Sequence, residues 1–333
     1  MIDGIIDVHT HIVPKSFPAN PSPATNTRWP SMCLHGARAT IQINDKPFRE
    51  LDSRAWDIGA RLATMAREGI AAQVLSPMPE LLSYWFNPHE GLMMAQYTNS
   101  VIAEMVATGD SRFFGLGTVP LQDPTLAARE LSRLKADGFA GVELGSNING
   151  VVLGDTRFFE FYAEAERLDL ALFVHALHPI GAERLSEFPD LIPYAAFPLD
   201  TGLAAISLIR AGIPVRFPRL RIGFSHGGGA LAPLLYRVQH GWQLTGQFNG
   251  QVTQSPRDSA KAFFYDSLVY DASYLQFLLR DFAPGQFFAG TDYPFAIEQT
   301  QLSRFLSAAT EGAEDQTLIA DAARRFLGVT GAA

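Results

Sequence analysis

Two histidines stand one residue apart in "DVHTH" (residues 7–11), directly after the apolar pair Ile5–Ile6 and before Ile12–Val13. Along a strand, alternate side chains share a face, so His9 and His11 point one way while Val8, Thr10 and Ile12 point the other. Three further polar groups follow apolar runs: His175 in "LFVHA", His226 in "GFSHGGG" and Asp292 in "AGTDYP". Imidazole nitrogens with one carboxylate suit a divalent transition metal, zinc foremost, with an open position for water or substrate. Taken singly, a strand histidine is more often a hydrogen-bonded structural residue, and Asp292 would read as a turn residue before Tyr293–Pro294. The constellation is what points to a metal centre.

The elements that must position these groups are short β-branched or aromatic runs alternating with longer amphipathic stretches. Strands are predicted over 4–12, 71–77, 113–120, 141–146, 170–176, 221–228, 263–269 and 286–294. Helices are predicted over 57–68, 89–108, 124–137, 156–168, 199–212, 230–244, 271–281 and 298–310, with Asn87–Pro88 and Asp123–Pro124 as start signals. An α/β chain that repeats strand and helix eight times fits a (β/α)8 TIM barrel of about 250 residues, so the excess length belongs in insertions and a tail. Such barrels keep their active sites at the C-terminal ends of the strands. There the first, fifth, sixth and eighth strands bring all five polar groups to one mouth.

Two insertions leave the same face. Residues 14–56 are rich in proline and end in "ATIQINDKPFREL", whose alternation around Asn44–Asp45 predicts a small β-hairpin. Residues 177–197 form a second proline-punctuated loop, after the fifth strand. A last amphipathic helix, 314–327, is expected to pack against the barrel, and residues 1–333 read as a single domain.

Composition narrows the function classes. The formal net charge of -8 offers no basic field for a phosphate backbone, so nucleic acid is not an expected partner. A single cysteine, Cys33, read as a small loop residue, rules out an internal disulfide or thiolate cluster and suggests a reducing compartment. With no basic leader and no apolar run long enough to cross a bilayer, a cytoplasmic enzyme without membrane attachment is expected. Gly227–Gly229 after His226 lack the spacing of a phosphate loop. They either end a strand tightly or leave room for a substrate, the second reading being slightly favoured.

The stretches "DVHTHIVP", "FVHA", "SHGGG" and "GTDYPF" resemble the amidohydrolase superfamily, in the branch of 2-amino-3-carboxymuconate-6-semialdehyde decarboxylase. The resemblance continues through "FRELDSRAWD" (48–57), "SYW" (83–85), "GLGTVPLQDP" (115–124) and "YAEAERLDLALFVH" (162–175). It implies that His9, His11, His175 and Asp292 bind one metal ion, zinc with manganese as the alternative, and that His226 is the acid/base histidine. It also implies that Arg49 grips the substrate carboxylate and that Arg237 reaches the neighbouring subunit's site in a homodimer. From sequence alone both arginines would pass as ordinary surface charges.

Related barrels with two metals bridge them by a carbamylated lysine on a middle strand. Here Lys15, Lys46, Lys135 and Lys261 are the only lysines and none ends the third or fourth strand. One metal is therefore predicted, with Glu143 structural or supporting. The chain departs from the family after the fifth strand: Ala176, Leu177 and His178 stand where a proline and a tryptophan are usual, and Tyr194 replaces a second tryptophan. His178 and Tyr194 are candidate substrate contacts, whereas His35, His89 and His240 read as non-catalytic.

A metal held by three neutral imidazoles and a carboxylate lowers the pKa of bound water toward ~7. Non-oxidative decarboxylation of an unsaturated or aromatic carboxylic acid is the leading expectation. Arg49 would fix the acid, and His226 or Asp292 would return a proton to the carbon that loses carbon dioxide. Hydrolysis or hydration of an amide, lactone or ring double bond is the alternative, since both share the same ligand set. A barrel that only binds would not need His226 and Asp292.

Overall fold

Eight parallel strands close into a barrel in a computed structural model that describes residues 3–36, 38–310 and 312–329. They are β1 (Ile5–Ile12), β2 (Ile70–Pro77), β3 (Phe113–Gly117), β4 (Gly141–Gly145), β5 (Ala171–His175), β6 (Ile222–Phe224), β7 (Phe264–Asp266) and β8 (Phe287–Tyr293). Each sequential pair is adjacent, and β1 closes the ring between β2 and β8, with His9 opposite Gly290 and His11 opposite Ser76. The (β/α)8 architecture read from the periodicity is the one observed. Residues 1, 2, 37, 311 and 330–333 of the predicted domain lie outside the described residues.

Inside the barrel, Ile6, Val8, Val74, Leu116, Phe173 and Phe288 make one apolar layer; Val8 shares that side with His9, contrary to strict alternation, because β1 shifts register between Asp7 and His9. Phe326, from the helix Ala313–Leu327, is fully buried against that layer and forms its floor, so the tail helix packs on the barrel as expected. Asn87 and Asp123 cap the helices Pro88–Thr108 and Pro124–Ala136, accepting from the backbone of Glu90 and Leu126 at 3.0 Å each. Propensity and capping therefore agree with the tertiary packing at these ends.

Several expectations need correction. β6 and β7 are shorter than predicted because Asp266 takes the backbone N–H groups of His226, Gly227 and Leu268, which removes them from the ladder. The insertion carries the expected hairpin, Arg38–Ile43 and Lys46–Asp52, and beside it a third antiparallel strand that the sequence reading did not include, Ser31–His35. Its tight turn is at Asn44–Asp45, both at positive φ as a two-residue hairpin turn demands. Cys33 sits half-buried in the first of these strands, not in a loop.

The predicted loop 177–197 turns helical at Ile192 and runs on into the helix Phe197–Arg210. Together Ile192–Arg210 form 19 residues of mean hydropathy 1.4, long and apolar enough to span a bilayer by length and composition, contrary to the sequence reading. The helix is 44% buried within the fold, and its Asp200 binds Ser146, Asn147 and the Ile180 backbone. Packing on the barrel thus accounts for its apolar character.

Candidate metal centre

His9 and His11 end β1, His175 ends β5 and Asp292 lies near the end of β8, all four buried. His11 Nδ1 lies 2.9 Å from the Pro77 carbonyl and His175 Nδ1 2.8 Å from the Ala176 carbonyl. A carbonyl only accepts, so each Nδ1 carries the proton and each Nε2 keeps its lone pair. His9 Nδ1 likewise donates to Asp266 Oδ2 at 2.6 Å. Burial pushes the His9 and His11 imidazoles down to about 3 and that of His175 well below its usual range. Neutral imidazole is the ligating form.

The lone pairs face one another. His9 Nε2 and His11 Nε2 are 3.1 Å apart, and Asp292 Oδ1 is 3.5 Å from the first and 3.1 Å from the second. With His175 Nε2, these four ligand atoms lie within 4.8 Å of one another. Neither His175 Nε2 nor Asp292 Oδ1 has a hydrogen-bond partner among the described residues. Four buried acceptors thus converge without a donor between them, and a divalent cation is the group that offsets their repulsion. A metal site built from three nitrogens and one oxygen fits the residues present.

His226 follows β6 and its ring centroid lies 5.0 Å from that of His175 and 5.6 Å from that of His9. Burial pushes it down to about 3, so it enters the site as a neutral imidazole. Its backbone is left-handed (φ 58°), as is that of Asp292 (φ 63°). Such conformations in non-glycine residues persist where surrounding contacts over-determine them. Asp266 supplies those contacts for His226: Oδ2 accepts from His226 N (2.9 Å) and from His9, while Oδ1 accepts from Gly227 N (2.7 Å) and Leu268 N (3.1 Å).

Beneath the ligands, Arg61 is fully buried and donates to the His11 carbonyl and to Thr10 Oγ1. Asp7 nearby is pushed up to about 8 by burial. Glu143 is pushed well above the carboxylate range by burial, and its Oε2 stands 3.6 Å from His11 Nδ1, a place consistent with support rather than with bridging. All four lysines are exposed.

Gly227, Gly228 and Gly229 all have positive φ, and a Cβ on Gly229 would come within 2.0 Å of the Pro198 carbonyl. A tight turn and close backbone approach account for the positive φ values, and Gly229 also lines the space above the cluster, so both readings drawn from the sequence hold in part.

A cavity of about 1000 Å³ opens above the cluster and is lined mostly by apolar groups. His175, His226 and Asp292 reach it, as do Arg49, His178 and Tyr194. Arg49 lies in the inserted sheet with its guanidinium 4.0 Å over the Phe295 ring, which stacks on His11 at 5.1 Å. Its guanidinium makes no hydrogen bond among the described residues. Burial lowers its pKa, but an arginine remains a cation. Arg237 sits exposed on the helix Leu231–Leu244 and does not line this cavity. His35, His89 and His240 are exposed and stand apart from it.

Sequence reasoning missed Asp266, Arg28 and Glu80, and singled out His178 without its partner Glu80. Asp266 carried a signal, a carboxylate ending the seventh strand. Arg28 and Glu80 carried none, because each meets partners from remote segments.

A family profile described as amidohydrolase matches residues 6–329. The chain is 34% identical to a 2-amino-3-carboxymuconate-6-semialdehyde decarboxylase of Dictyostelium discoideum, over 97% of this chain and 91% of that protein. It is 30% identical to a gamma-resorcylate decarboxylase of a Rhizobium species over 66% of this chain and 68% of that one. Among solved structures, a dihydroxybenzoic acid decarboxylase of a Polaromonas species, with bound manganese and the inhibitor 2-nitroresorcinol, superposes with a TM-score of 0.79 at 21% identity, covering 99% of this chain and 98% of that one.

Proposed function

The chain belongs to the amidohydrolase family, and we propose that it is a metal-dependent carboxy-lyase that removes carbon dioxide, without oxidation, from an unsaturated or aromatic carboxylic acid. The observation that carries this reading is a cluster of four donor-free ligand atoms opening on an apolar cavity whose wall holds an unpartnered guanidinium, Arg49. His9, His11, His175 and Asp292 hold one divalent ion, zinc in this reading, with manganese as the alternative because the Polaromonas decarboxylase carries it. When bound, that ion supplies a Lewis acid able to polarise the substrate or acidify water.

The remaining work falls to the chain's own side chains. Arg49 pairs with the substrate carboxylate, and no protein acceptor competes for its donors. The apolar walls hold the conjugated part of the acid and keep bulk water away from the reacting carbon. His226, neutral and fixed by Asp266, accepts a proton from a substrate hydroxyl or water. As the carbon–carbon bond breaks, its electron pair stays on the substrate carbon, and carbon dioxide leaves. His226 then returns the proton it accepted to that carbon, directly or by way of Asp292, forming the new C–H bond. His178 and Tyr194 contact the substrate from the wall.

Arg237, exposed on its helix, reaches the cavity of a second copy, which makes the working unit a homodimer in the cytoplasm. Small carboxylic acids, not nucleic acids or membranes, are its partners. The test is a panel of 2-hydroxybenzoates, aminomuconate semialdehydes, lactones and amides, followed for carbon dioxide and for pH change. Carbon dioxide from at least one acid is expected. Hydrolysis of a lactone or amide with no carbon dioxide from any acid would refute the proposal.

A further inference from the structure

Four residues from separate parts of the chain pack into one polar cluster at the edge of the cavity. Arg28 Nη2 donates to Glu80 Oε1 at 2.7 Å, and His178 Nε2 lies 3.0 Å from Glu80 Oε2. The Arg28 guanidinium stands 3.8 Å over the Trp85 ring, which stacks on His178 at 4.7 Å. Arg28, Glu80 and His178 all line the cavity that Arg49, His175 and Asp292 also line.

The cluster is held from behind as well. Asn147 Nδ2 donates to the carbonyls of Leu177 (2.8 Å) and His178 (3.3 Å), where His178 adopts a left-handed backbone (φ 44°). A non-glycine residue keeps that conformation only where its surroundings over-determine it, and such residues gather at ligand sites. Burial alone would raise the Glu80 carboxyl, yet its bonds to His178 and Arg28 hold it below the usual range, so it is ionised.

Counting donors and charges gives this wall a chemical character. Each Glu80 oxygen already has one partner within the cluster, and its charge is matched by Arg28. Arg28 Nε and Nη1 make no hydrogen bond among the described residues, so it presents donors. The charges of Arg28 and Glu80 cancel, whereas Arg49 is uncompensated by any hydrogen-bonded carboxylate. The cavity, at about 1000 Å³, is at the upper end of the roughly 300–1,000 Å³ typical of small-ligand sites and has room beyond one unsubstituted ring.

We propose that Arg28, fixed by Glu80, Trp85 and His178, forms a second subsite that takes an oxygen acceptor, a carbonyl or a carboxylate, at the end of the substrate remote from the carboxylate that is lost. This rests on the reading of the cavity as a carboxylic acid site, and it identifies the substrate as an acid bearing a second oxygen substituent.

The experiment is calorimetric titration of the metal-loaded protein with benzoate, 3- and 4-acetylbenzoate, and benzene-1,3- and 1,4-dicarboxylate. In the wild type, at least one substituted acid is expected to bind on the order of tenfold more tightly than benzoate, as one bond from a charged donor provides. Arg28→Gln should erase that preference while leaving benzoate within about twofold. Arg28→Lys, which keeps charge and stem, covers the case in which the first variant does not fold; it lacks the spare guanidinium edge and should lose the acetyl preference too. A gain for both acetyl and carboxylate groups assigns the subsite to any acceptor oxygen; a gain for carboxylates alone, erased by Arg28→Gln and kept by Arg28→Lys, assigns it to charge. No preference in the wild type, or one that survives Arg28→Gln, overturns the proposal. Failure of benzoate itself to bind, or binding indifferent to Arg49→Gln, would instead overturn the acid-site reading.

Discussion

Replacing Asp266 with asparagine exchanges one oxygen for an amino group and leaves the volume nearly unchanged, yet four donors converge on that carboxylate. Oδ1 serves the backbone of Gly227 and Leu268; Oδ2 serves the backbone of His226 and the His9 ring. An amide group has one acceptor end, so its NH2 must face one pair of donors. Facing Gly227 and Leu268 would oppose two fixed backbone N–H groups. Facing His226 and His9 opposes only one, because imidazole can move its proton from Nδ1 to Nε2. Asp266→Asn is therefore expected to switch the His9 tautomer and remove the lone pair that His9 directs at the metal.

The magnitudes follow. One buried N–H left unpaired costs about 1–3 kcal/mol, and the loss of charge weakens the remaining bonds, so the metal-free variant should be less stable by roughly 2–5 kcal/mol. Loss of such a supporting carboxylate typically lowers metal affinity about 10–100-fold. Urea unfolding of the stripped protein reads the first number, and competition for zinc against a chromophoric chelator reads the second. Nitrogen-15 NMR of the imidazoles reports which His9 nitrogen is protonated. Metal affinity within about threefold of wild type, with His9 still protonated at Nδ1, would refute this reasoning.

Three other outcomes are expected. His226→Ala should retain the metal, by elemental analysis, and lose about 10²–10⁴-fold in turnover with the assigned substrate, whereas full activity would remove His226 from proton transfer. Stripping the ion with a chelator should lower the midpoint of thermal unfolding, because an ion present at about 1,000 times its Kd stabilises by roughly 4 kcal/mol; an unchanged midpoint would contradict a cation among those lone pairs. Phe326→Ala should cost about 3–5 kcal/mol in urea unfolding, since the ring is fully buried under the barrel interior; a cost below ~1 kcal/mol would mean the floor collapses to fill the space.

The ligands were legible because each breaks a pattern: His9, His11, His175 and Asp292 are polar groups ending apolar runs, and a barrel sends all such ends to one side. The inserted sheet was half legible. Asn44–Asp45 announces its turn, but Ser31–His35 has too little alternation to declare itself a strand. The supporting groups were not legible, because their partners are backbone atoms or side chains far away in sequence. Asp266 binds the backbone of His226 forty residues earlier, and Arg28 approaches His178 across a separation of 150 residues. The length of the helix beginning at Ile192 was hidden by Pro193 and Pro198, which usually mark a break and here sit within its first turns.

The closure of β1 between β2 and β8 has a consequence for how the protein is born. His9 and His11 are made long before the eighth strand, so β1 lacks one of its neighbours until Phe287–Tyr293 have left the ribosome. Asp292 arrives with that same strand. Until then a nascent chain holds its histidines without their carboxylate partner, and the four-ligand cluster is complete only once the barrel shuts. Assembly of the cluster is thereby tied to the eighth strand, and a product terminated before it lacks Asp292 and the closing partner of β1.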